Sequence, residues 1–145
     1  MSISTSLTPG GVGKRPVQFV GECISWAGIV MNTVEAHPCT VEVPGGFRYV
    51  GKAIVEIWTL PSGRTMDHET LGDRFEEEVP MRCLYGDELM NIKKDDVVEF
   101  SGKIIAETTM EGLSLRKNMR KAPVIGLQHI QRIEAGSARR NLFVP

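Results

Sequence analysis

No stretch of this chain keeps apolar residues at helical spacing over a dozen positions, while short runs rich in Val, Ile and Phe recur between Gly- and Pro-bearing turns. That pattern confines the chain to an all-β barrel or sandwich. In Gln18 to Thr33, Ile24, Trp26, Gly28 and Val30 share one parity and Cys23, Ser25, Ala27, Ile29 and Met31 the other. Both faces are partly apolar, as in a long barrel strand that serves two sheets and bends at glycine. Cys39 to Val43 is a short strand closed by the turn Pro44-Gly45-Gly46, and Tyr49 to Leu60 is a strand ended by Pro61-Ser62-Gly63. Arg64 to Asp73 reads as an exposed loop. Phe75 to Tyr85 is a further strand, and Pro80 puts it at an edge or a bulge because it lacks a ladder donor.

Gly86 to Ile92 reads as a short helix capped by Asp87, with Leu89 and Ile92 spaced to bury together. After the charged turn Lys93-Lys94-Asp95-Asp96 come a strand with a central Gly102 (Val97 to Glu107), a loop or hairpin tip (Thr108 to Lys121) and a closing strand (Val124 to Glu134). The apolar phase of that last strand slips between Leu127 and Ile130, which predicts a bulge. The order suits a five-stranded Greek-key OB-type barrel with one short helix better than an immunoglobulin-like sandwich, whose Cys-Trp-Cys framework is missing. Residues 17–134 form the expected domain, after a Ser/Thr/Gly/Pro-rich leader at 1–16 read as flexible and before a polar tail at 135–145.

From Val79 to Glu134 the sequence resembles the bacterial single-stranded DNA-binding protein family and its primosomal and replication-protein-A-like OB relatives. The resemblance rests on the strand Val79-Pro80-Met81-Arg82-Cys83-Leu84-Tyr85, the short segment after it, the Lys93-Lys94-Asp95-Asp96 turn and the strand Val97-Val98-Glu99-Phe100-Ser101-Gly102-Lys103-Ile104. Asp95 stands where the family's turn has glycine. The resemblance covers the first strand only loosely and does not reach Glu35 to Arg74. It implies an OB barrel, binding of single-stranded DNA, and replication and repair as the setting. The family's acidic C-terminal tip is replaced by Arg139-Arg140-Asn141-Leu142-Phe143-Val144-Pro145.

With a formal net charge of −1, the whole molecule does not attract phosphate, so a nucleic-acid role needs a local basic patch. The three cysteines, Cys23, Cys39 and Cys83, are widely spaced without a CxxC pair, which argues for reduced thiols in an intracellular, cytoplasmic setting. No apolar run has the length of a membrane span. His37, His68 and His129 show no metal-ligand spacing, and no glycine-rich loop suits a phosphate. The chain therefore reads as a binding protein without cofactor or metal rather than an enzyme.

Single-strand binding needs cations along a groove and flat rings for bases. Arg116, Lys117, Arg120 and Lys121 form a basic run with no acidic residue between Gly112 and Lys121, and Lys103 adds a cation on the Gly102 strand. Trp26, Phe47, Tyr49, Trp58 and Tyr85 are the candidate stacking rings, with Arg48 between Phe47 and Tyr49. Trp58 shares a face with Glu56 and so with solvent or ligand, whereas Trp26 shares its face with Ile24 and Val30 and suits the core. Each group has a plainer reading, as a solvated loop or as packing. The acidic run Glu69 to Glu78 belongs away from any such groove. The leading expectation is binding of single-stranded DNA or RNA, DNA by preference, without strong sequence preference. Its rival is an OB-like assembly subunit that binds protein through an edge strand and the Leu142-Phe143-Val144 tail. Self-association, as a dimer or higher oligomer, is expected in both cases.

Overall fold

The structure, a computed structural model, describes residues 2–33, 39–42, 48–51, 53–59, 79–85, 92–111 and 119–136. Its strands are β1 (Cys23–Thr33), β2 (Cys39–Glu42), β3 (Arg48–Gly51), β4 (Ala53–Thr59), β5 (Val79–Tyr85), β6 (Val97–Glu111) and β7 (Met119–Glu134). Among the described residues, β1-β4-β5-β7-β6 form a closed barrel, and β2 and β3 pair separately as a two-stranded sheet. The barrel pairs are antiparallel except β5 with β7, which run parallel through Arg82–Tyr85 and Val124–Leu127. Pro80 pairs with Trp58 of β4 but lies before the β7 ladder begins at Arg82, so its missing N–H leaves no gap there.

Alternation along the strands fills the barrel. Ile24, Trp26 and Val30 of β1, Val55 and Ile57 of β4, Val98, Phe100 and Ile104 of β6, and Ile125, Leu127 and Ile130 of β7 make one buried cluster. The second parity of β1 is also used, because Ile29 and Met31 pack with Trp58 and Val97 in a separate cluster. Cys23 is a buried free thiol. The phase slip in β7 is a bulge: Ser101 faces His129 and Gly102 faces Leu127, which leaves Gln128 unpaired and lets both Leu127 and Ile130 point inward.

Two glycines allow the strands to approach. A Cβ on Gly102 would overlap the carbonyl oxygen of Gly126, and one on Gly28 would lie 2.6 Å from both Ile57 Cγ2 and the Trp58 carbonyl oxygen. Both positions therefore need a residue without a side chain.

The turn before β6 is locked by a buried carboxylate. Asp96, 2 % exposed, accepts from Lys93 N (2.9 Å) and Arg132 Nε (2.9 Å) through one oxygen and from Gly136 N (2.8 Å) through the other. Its backbone carbonyl accepts from Val30 N, while Asp95 N donates to the Val30 carbonyl. Asp95 sits at φ 72°, a left-handed conformation that aspartate tolerates better than most residues. One turn thus ties the ends of β1 and β7 to the start of β6.

The N-terminal segment departs from its expected character as a flexible leader. Residues Pro9–Lys14 form the helix α1, followed by a 3-10 turn at Pro16–Phe19. Val12 is fully buried in the barrel core, with Leu7, Phe19 and Val20 packed against it. Ile3 bridges Cys23, and Ser4 N donates to the Cys23 carbonyl at 2.8 Å. The composition hid a helix start: Thr8 Oγ1 caps Gly11 N at 3.2 Å and Pro9 occupies the first turn. The helix expected at Asp87 to Ile92 lies outside the described residues except for Ile92, which is buried in the core. The expected loop at Arg64 to Asp73, the acidic run Glu69 to Glu78 and the Leu142-Phe143-Val144 tail also lie outside them.

Two substitutions test this architecture by urea denaturation. Gly102→Ala is expected to cost about 3 kcal/mol or to prevent folding, as forced overlap in a packed sheet does. Asp96→Ala strands two backbone donors and removes the Arg132 ion pair, with an expected loss of about 2–4 kcal/mol. A loss below about 1 kcal/mol in either variant would show that the contact is dispensable.

Candidate nucleic-acid interface

The β6–β7 hairpin outruns the barrel. The β1 ladder on β6 ends at the Cys23–Lys103 pair, and the β5 ladder on β7 begins at Val124. Beyond those points the strands pair with each other as far as Glu111 and Met119, making a two-stranded arm. Thr108 to Lys121, expected as a loop or tip, is thus partly strand: β6 runs to Glu111 and β7 resumes at Met119. Arg120 and Lys121 are strand residues on the arm's return, opposite Met110 and Thr109.

Lys121 is exposed and lies 3.9 Å from Glu107 Oε1, so a cation that looked unopposed along the chain has an acidic neighbour across the ladder. The other oxygen of Glu107 accepts from Val17 N at 3.2 Å. Arg120 is half-buried. Lys103 is exposed on β6, between Cys23 of β1 and Gly126 of β7. From Lys103 to Thr109 the strand covers about 20 Å at roughly 3.3 Å per residue, so Lys103 stands at the base of the arm and Lys121 farther out.

Both tryptophans turn away from this role. Trp26 is 5 % exposed inside the barrel, and its Nε1 donates to the Leu7 carbonyl at 3.2 Å. Trp58, expected to share a solvent face with Glu56, is 2 % exposed. It is the register partner of Ile29, which also pairs with Val97, so the three form an apolar row across β4, β1 and β6. The second face of β4 is covered at this corner, and neither indole offers a face to a base.

Arg48 and Tyr49 belong to β3, opposite Glu42 and Val41 of β2. Phe47, Arg116 and Lys117 lie outside the described residues. Glu107, which no local pattern singled out, is the residue that sequence reasoning missed; only the β6–β7 register brings it to Lys121. Among the described residues, no group of three or more His, Cys, Asp or Glu side chains is placed to hold a metal ion, and no helix is long and apolar enough to cross a membrane.

No family model matches this chain, and no curated protein sequence matches it. Among solved structures it is similar to the small single-stranded DNA-binding protein from Streptomyces coelicolor, at 14 % identity and a TM-score of 0.36, over 77 % of this chain and 94 % of that one.

The burial of both indoles has a spectroscopic consequence. Iodide is expected to quench tryptophan fluorescence weakly in the native protein and strongly after unfolding. Native quenching equal to that of the unfolded chain would contradict the placement of Trp26 and Trp58.

Proposed function

We propose that the barrel is a Greek-key barrel of the OB type and that it binds single-stranded nucleic acid, DNA by preference, with little sequence selectivity. The strand order supports the first part. Taking β1, β4, β5, β6 and β7 as the successive barrel strands, the third lies beside the fifth in parallel and the fourth closes back on the first. The β2–β3 hairpin then falls between the first and second barrel strands, and the β6–β7 hairpin between the fourth and fifth. These are the two connections with which OB barrels clasp oligonucleotides. Phe47, Arg48 and Tyr49 belong in sequence to the first connection, and Arg116, Lys117, Arg120 and Lys121 to the second.

The observation that carries the binding reading is the arm itself: the paired strands extend past the barrel, and Arg120 and Lys121 lie on the returning strand. With both indoles in the core, phosphate neutralisation by the arm and Lys103 carries most of the affinity, and stacking falls to Tyr49 and Phe47. A net charge of −1 provides no long-range attraction, so binding depends on local contacts that salt weakens.

Fluorescence polarisation with labelled oligo-dT at low and raised salt tests this. Binding with a log–log salt slope of roughly −3 is expected for four neutralised phosphates on a single strand. Charge reversal at Arg116, Lys117, Arg120 and Lys121 together should abolish it. No binding at low salt, or binding indifferent to that reversal, would leave the barrel to the rival role of a protein-binding assembly subunit.

A further inference from the structure

We propose that Glu107 is a built-in counter-charge that holds the arm's affinity for nucleic acid down, which rests on the binding role proposed for the arm. Its carboxylate is held through both oxygens. One oxygen accepts from Val17 N at 3.2 Å, and the other lies 3.9 Å from Lys121 Nζ. Val17 follows Pro16 in the 3-10 turn, and that turn is fixed by the packing of Val12, Phe19 and Val20 against the core. The carboxylate is thereby anchored on the barrel side while Lys121, on the neighbouring strand, is the more exposed partner. Lys121 retains 57 % side-chain exposure and Glu107 27 %, so the pair is open to solvent and a phosphate can reach the ammonium.

A strand lying along the arm must draw Lys121 from Glu107 or leave that cation half-neutralised. It must also pass a carboxylate of its own sign. Both effects oppose binding, and the charge itself is not needed to seat the N-terminal segment, because a neutral acceptor at position 107 still takes the Val17 N–H. Glu107→Gln keeps an oxygen for that N–H and removes only the charge. Glu107→Ala removes both and reports separately on the attachment of the N-terminal segment.

Oligo-dT affinity and its salt dependence are to be measured for the native sequence, Glu107→Gln, Lys121→Gln and the double variant, with thermal unfolding of each alongside. Glu107→Gln is expected to bind about three-fold or more tightly at low salt, on the scale of an exposed ion pair. Its salt slope should steepen by up to about 0.7, one further phosphate contact on a single strand. In the Lys121→Gln background the gain should shrink, since part of it comes from releasing Lys121. Glu107→Gln should unfold at the native temperature, which separates the charge effect from any loss of structure. Binding by the native protein that Glu107→Gln leaves unchanged or weakens would overturn the counter-charge while leaving the binding role intact. No binding by either protein at low salt would overturn both.

Discussion

The contact on which the rest of this structure depends is the one between Gly102 and Gly126, where two strands approach closely enough that a single methyl group would overlap the Gly126 carbonyl. It sits beside the bulge at Gln128, in the middle of the β6–β7 ladder. The absence of side chains lets the strands cross tightly, and the extra residue at Gln128 restores the inward phase of the closing strand. At that crossing β6 continues to β1 on one side and β7 to β5 on the other, which closes the barrel. The arm is the continuation of the same two strands beyond the crossing, so its direction is set by the same contact.

Two smaller devices hold what the crossing creates. Asp96 gathers donors from the turn before β6, from β7 and from Gly136 two residues beyond it, and its burial makes those bonds costly to lose. The N-terminal segment brings Val12 into the core, bonds Trp26 through the Leu7 carbonyl and extends the β1 edge through Ile3 and Ser4. It is also the origin of the Val17 N–H that orients Glu107, so the segment that completes the core shapes the electrostatics of the arm as well.

Much of the fold was legible where the signal was local. The all-β character followed from short apolar runs between turns, the doubly apolar β1 from its two parities, and the bulge from the slip between Leu127 and Ile130. What escaped notice lay across the sheet. In the sequence Trp58 shares a face with Glu56 and so points to solvent or ligand; its burial comes from Ile29 and Val97 on other strands. Lys121 read as part of an unopposed basic run because Glu107 is distant along the chain and adjacent only in register. The helix at Pro9–Lys14 escaped because its glycines and proline suggest a leader, although Thr8-Pro9 is a sound helix start. Composition and periodicity report which face of a strand is apolar; they do not report what lies over it.

The central claim is that nucleic acid lies along the β6–β7 arm. Titrating isotope-labelled protein with oligo-dT at low salt and following its amide resonances tests that claim most directly. The largest shifts are expected at Ala106 to Glu111 and Met119 to Pro123, with smaller ones near Lys103 and in the β2–β3 hairpin. Shifts confined to the remote turn around Asp96, or spectra unchanged by the oligonucleotide, would contradict it.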